Sequence, residues 1–125
     1  MELSLIEIFS IIVIHWVSDF VLQTHWQATN KSKDNKALTM HVLSYSTVWL
    51  LTANIYSIIT GNYLMLALFP IITFVCHWIT DYFTSRLNSK LWAKGDIHNF
   101  FVSVGFDQVL HYVQLFLTYY LLKTL

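Results

Sequence analysis

Four apolar stretches, each about twenty residues long and each carrying ionisable side chains, constrain this chain more than any other feature. They run over about 3–22, 38–59, 63–83 and 100–122. A hydrocarbon core about 30 Å thick takes roughly 20 helical residues to cross, and lipid offers the backbone no hydrogen-bond partner. Each stretch is therefore expected to be a transmembrane helix. Composition agrees: 56% of the 125 residues are hydrophobic, 11% are charged, and the mean hydropathy is +0.54. A water-soluble fold of this size could not cover so much apolar surface. The expectation is an all-α polytopic membrane protein, a bundle of about four transmembrane helices forming one domain over residues 1–125. Thr60-Gly61-Asn62 leaves room only for a tight hairpin, Pro70 is expected to kink the third span, and Gly105 suits close helix contact in the fourth. The start offers Glu2 and Glu7 rather than a basic leader, with no small-residue cleavage site after it, and reads as a retained helix. Cys76 reads as a small packing residue.

The connections at about 23–37 and 84–99 carry the basic residues, Lys31, Lys33 and Lys36 in one and Arg86, Lys90 and Lys94 in the other. The hairpin at Gly61 has none. By the positive-inside rule both basic loops face the cytoplasm, with the hairpin and both termini on the other side. Lys123 is the one basic residue against that pattern. Trp26 and Trp92 fall where interfacial anchors are expected. The lysines read first as topology signals, and a net charge of zero gives no sign of a nucleic-acid partner. Membrane lipids are the expected surroundings.

Seven ionisable residues sit in the halves of the spans nearest those basic loops. His15 and Asp19 lie in HWVSDF, His77 and Asp81 in HWITDY, Asp107 and His111 in the fourth span, and His41 in the second. Residues four apart lie about 40° apart around a helix, so each pair shares a face. At 1.5 Å of rise per residue the seven lie roughly 5–17 Å in from the same side. Buried ionisable groups are costly and persist where they pair, bind an ion or line a polar cavity. Any one pair is readily an Asp–His hydrogen bond between helices. Together, His15, Asp19, His41, His77, Asp81, Asp107 and His111 make a nitrogen and oxygen ligand set suited to Zn first, or to Mn or Fe, with enough donors for one or two ions. Ser18, Thr80 and Gln108 are placed to support the aspartates, and Arg86 either snorkels or holds a phosphate at the cavity mouth. His25 and His98 read as solvated, and Trp16 and Trp78 as packing residues.

The two HW[VI][ST]D[FY] copies, each followed by a basic loop, suggest a duplicated two-helix unit, although His41 has no counterpart. The segments HWVSDFVLQTHW, HWITDYFTSRL and FDQVLH, with His41 between the first two, resemble the bacterial and phage membrane family called domain of unknown function 3307. The resemblance spans nearly the whole chain and implies a compact membrane protein, by its membership one of a bacterial inner membrane. A more distant similarity is to small inner-membrane proteins described as metal-dependent hydrolases.

These readings lead to a membrane-embedded metal-dependent hydrolase, acting from the cytoplasmic face on a phosphoester of a lipid or small molecule. Asp19, Asp81 or Asp107 is then the base. Three alternatives remain: an ion or proton relay, a haem-binding bundle with two axial histidines, and an envelope-interaction factor whose metal is structural.

Overall fold

The computed structural model describes residues 2–125, which form five α-helices and one turn of π-helix, with no strand among the described residues. Helix α1, Leu5–Trp16, starts at a reciprocal cap in which the Ser4 hydroxyl accepts from the Glu7 N–H and the Glu7 carboxylate accepts from the Ser4 N–H. It runs straight into the π turn Val17–Val21, where the Leu22 N–H reaches back to the Val17 carbonyl at 3.0 Å. Ser18 donates to the carbonyls of Ile14 at 2.8 Å and His15 at 3.1 Å, so a side chain competes with the regular ladder where the helix widens. Thr24 and Gln27 repeat the reciprocal cap at α2, His25–Asn30. Asp34 caps α3, Asn35–Thr60, and Asn62 caps α4, Tyr63–Ala93. Asp96 caps α5, Ile97–Thr124.

Gly61 ends α3 at φ 75°, a left-handed conformation that costs side-chain-bearing residues about 1–2 kcal/mol. A Cβ built there meets nothing within 4 Å. Gly61→Ala should therefore destabilise by about 1 kcal/mol through the backbone alone, read as a lower unfolding temperature in detergent with the assembled site unchanged.

Helices α3, α4 and α5 are long and apolar enough to cross a membrane. At 26, 31 and 28 residues they measure about 39, 46 and 42 Å. Helix α4 packs between α3 and α5, while the Leu5–Val21 segment leans on α5 and α3 through fewer contacts. The polarity is inverted relative to a water-soluble domain. Leu5, Ile6, Phe9, Ile58, Ile59 and Phe83 face outward, whereas His15, Asp19, His41, His77, Asp81 and His111 are buried. Inside, Ile11, Trp49, Ala53, Met65, Phe69 and Leu115 form an apolar layer towards the hairpin end, and Tyr45 joins it to the polar layer.

Three expectations change. The region 84–99 is mostly helix, because α4 continues to Ala93 and only Lys94–Asp96 connects it to α5. Falling hydropathy marks where apolar sequence stops, but a helix stops where its backbone is capped, here at Gly95 with φ 72°. The region 23–37 likewise holds α2 and the first turn of α3. The first helix ends at Val21 and is not uniformly α. Both basic segments do lie at one end: Arg86 donates to Asn35 at 2.8 Å and Lys31 to Asp81 at 2.9 Å. At the other end Asn62 bonds the Leu122 carbonyl at 3.0 Å, and Glu7 accepts from Tyr119 and Lys123, each at 2.6 Å.

Candidate functional site

The π turn carries Asp19 on the first helix, α3 carries His41, α4 carries His77 and Asp81, and α5 carries Asp107 and His111. His77 and Asp81 share a face of α4, as do Asp107 and His111 on α5, so three helices and the π turn deliver their polar groups to one interior layer.

Four atoms converge there: Asp19 Oδ1, His41 Nε2, His77 Nε2 and Asp81 Oδ2. His41 Nε2 lies 3.0 Å from Asp19 Oδ1 and 3.3 Å from Asp81 Oδ2. His77 Nε2 lies 3.5 Å from Asp19 Oδ1 and 3.4 Å from Asp81 Oδ2, and the two Nε2 atoms are 3.3 Å apart. An ion with tetrahedral bonds of about 2.0–2.1 Å sets its ligand atoms about 3.3 Å apart. A chain of hydrogen bonds needs close pairs. It does not need each nitrogen close to both carboxylates and to the other nitrogen. Asp19 Oδ1 is, moreover, buried without a properly directed hydrogen bond despite its short distance to His41. These buried groups could hold a metal ion.

A second group, Asp19, Asp107 and His111, adjoins the first and shares Asp19 with it. His111 Nε2 stands 3.2 Å from Asp107 Oδ1 and 3.1 Å from Asp81 Oδ1. Asp81 thus turns one oxygen to each group, as a carboxylate between two ions would. The ring of His77 is stacked between Tyr45, at 3.8 Å, and His111, at 4.1 Å, which fixes its plane. The outer nitrogens of His41 and His77 meet no acceptor, so stacking and close packing orient these rings, in place of the acceptor that usually orients a ligating imidazole.

Of the seven residues singled out in the sequence, six fall in these two groups and His15 stands outside them. Its Nδ1 accepts from the Tyr45 hydroxyl at 2.8 Å, and its Nε2–H donates to Gln108 Oε1 at 2.6 Å. Gln108 in turn donates to Asp107 at 3.1 Å. Both nitrogens of His15 are thus engaged, and its Nε2 lies 3.6 Å from Asp19 Oδ2. Ser18 bonds its own helix, and Arg86 lies over the Tyr82 ring at 3.7 Å and bonds the Tyr82 carbonyl. His25 and His98 are exposed, Trp16 faces outward, and Trp78 donates to Thr39.

Three residues of the site escaped the sequence reading. Thr84 donates to Asp107 at 2.6 Å, Tyr45 clamps His15 and His77, and Lys31 reaches Asp81. Tyr45 lies four residues after His41, a spacing that could have placed it on the same face. Nothing in the local sequence marks Lys31, which sits in a connection rather than on a helix face. Burial opposes its charge, but Asp81 and Asp19 hold the ammonium above its ordinary range. Beside the cluster a cleft of about 620 Å³ opens towards the basic end, bordered by Asp19, Lys31, Ser85, Asn88, Asp107 and Gln108.

No curated protein and no solved structure matches the chain significantly. A family model does, over residues 8–125. The chain belongs to the family described as "Protein of unknown function (DUF3307)".

Proposed function

We propose that this protein is a membrane-embedded metal-dependent hydrolase that cleaves a phosphoester of a lipid or small amphipathic molecule from the cytoplasmic side. The observation that carries the reading is that His41 and His77 Nε2 lie 3.0–3.5 Å from each other and from both Asp19 Oδ1 and Asp81 Oδ2, spacings that suit tetrahedral ligation. With imidazole and carboxylate donors and no thiolate, Zn is the first choice and Mn or Fe the next. The group Asp19, Asp107 and His111 is the place for a second ion.

A divalent ion at such a site supplies Lewis-acid charge to a phosphoryl oxygen and activates water. The residues of the chain supply the rest. When the four-atom site alone is filled, Asp107 is the favoured base, because it borders the cleft, which Asp81 does not, and its side chain is 11% exposed against 4% for Asp19 and 2% for Asp81. Thr84 and Gln108 bond its two oxygens and fix the carboxylate. Gln108 is held in turn by His15, which Tyr45 holds from its other nitrogen. Trp92 and Phe100 on the cleft wall suit an apolar substrate portion near the headgroup level.

In this reading the Leu5–Val21 segment is a fourth span. Its length of about 25 Å and outward Leu5, Ile6, Phe9, Val13 and Phe20 support that role. The basic end faces the cytoplasm. The two HW[VI][ST]D[FY] copies descend from a duplicated unit that has diverged, with His15 turned to support and His77 kept at the cluster.

The test is hydrolysis of phospholipid and phosphoester panels by zinc-supplemented protein in detergent, beside Asp107→Asn. Metal-dependent turnover that falls at least about 100-fold in the variant is expected. Metal-loaded protein that is inert on all panels yet conducts protons in liposomes would replace this reading with a relay. The apolar layer of Ile11, Trp49, Met65 and Phe69 beneath the cluster weighs against a continuous path.

A further inference from the structure

Among the described residues Lys31 is the one lysine or arginine paired with an aspartate of the cluster, and it comes from outside the long helices. It follows α2, at the turn before α3, and its ammonium lies 2.9 Å from Asp81 Oδ2. That oxygen is the one that lies 3.3 Å from His41 Nε2 and 3.4 Å from His77 Nε2. The same atom therefore completes the metal-ligand tetrahedron and accepts the lysine. An ammonium and a divalent cation cannot both sit close to one buried carboxylate oxygen without strong mutual repulsion. Lys31 is also 19% exposed and borders the cleft, so its flexible stem has room to leave.

We propose that Lys31 is a built-in competitor of the metal, alternating between Asp81 and the cleft mouth, so that metal loading frees its ammonium to bind the anionic phosphate group of the substrate. The inference rests on the metal reading and adds to it a coupling between two binding events. The lysine offsets the charge of Asp81 when it holds that carboxylate. When the ion holds Asp81, the lysine faces the cleft beside Ser85 and Asn88, whose polar groups suit an oxyanion. The two carboxylates of the four-atom group thus have one of their charges offset by the lysine when the ion is away, and both offset by a divalent ion when it is bound.

The test uses zinc titration of detergent-purified full-length protein by calorimetry, with wild type, Lys31→Met and Lys31→Arg. Removing the competitor should tighten zinc binding roughly ten- to hundred-fold in Lys31→Met, the counterpart of losing one charge-assisted hydrogen bond that the ion must displace. Lys31→Arg, which keeps the charge, should remain within about threefold of wild type. Inorganic phosphate should bind the zinc-loaded wild type at least about tenfold more tightly than zinc-loaded Lys31→Met. Equal zinc affinity in wild type and Lys31→Met overturns the competition and leaves the metal reading standing. Absence of zinc binding in every variant removes the metal reading and this inference with it. Tighter zinc binding with unchanged phosphate binding overturns the second half, the release of the lysine to the substrate. Should Lys31→Met fold poorly, the same comparison is made with Lys31→Gln.

Discussion

His77→Ala should lower the affinity for zinc by at least about 100-fold while leaving the helices assembled. His77 has no exposed surface, its Nε2 is one of the four converging atoms, and its ring is clamped between Tyr45 and His111. Alanine removes a ligand and leaves a cavity in the polar layer, with an expected stability loss of about 2–4 kcal/mol. A loss of stability alone would not distinguish a ligand from a packed side chain. His15→Ala supplies the contrast, since His15 is equally buried but has both nitrogens engaged by Tyr45 and Gln108. That variant should lose comparable stability and weaken zinc only about tenfold, as residues that orient a site typically do. Calorimetric titration beside thermal unfolding separates the two effects. Equal loss of zinc affinity in both variants would contradict the assignment of His15 as support.

Asp81→Asn is the second large effect. One carboxylate faces His41, His77, His111 and Lys31, so the isosteric amide withdraws the negative charge that four groups share while keeping the volume. The Lys31 ammonium is left against a neutral amide in a largely desolvated position. Breaking a buried pair from one side costs about 3–5 kcal/mol, and the partial exposure of Lys31 places the expected loss near the lower figure. The double variant Asp81→Asn, Lys31→Met should recover about 1–2 kcal/mol of it, since the stranded charge is gone. Additive losses in the double variant would mean that the two side chains are not energetically coupled. Zinc binding should be lost in the single and the double variant alike.

Most of the helical frame was legible because it depends on patterns that sequence carries directly. The apolar stretches at 38–59, 63–83 and 100–122 lie within α3, α4 and α5, and the four-residue spacings put His77 beside Asp81 and Asp107 beside His111. Legibility failed where tertiary contacts decide. Hydropathy could not show that α4 runs on to Ala93, because a helix leaving the apolar layer needs only capping and propensity to continue, and no glycine or proline intervenes before Gly95. The π turn that carries Asp19 has no reliable signature in its residues, although π turns recur at functional sites. His15 and His77 occupy the same place in matching motifs yet have different partners, since only the bundle decides which ring meets Gln108 and which meets His41. Lys31 reads in the sequence as a loop lysine and not as a partner of Asp81, because a long side chain in a connection can reach a distant helix. Glu7 was noted only as an acidic residue near the start, yet it ties α1 to Tyr119 and Lys123 at the hairpin end.

The central claim is that the His and Asp groups gathered from separate helices hold a divalent metal. Elemental analysis of detergent-purified protein, prepared without chelator or affinity metal, tests it most directly. The account predicts about one to two divalent ions per wild-type chain, zinc foremost, and only traces in His77→Ala. Protein that is folded and monodisperse yet carries no stoichiometric metal, even after dialysis against zinc, manganese or iron(II), would contradict it.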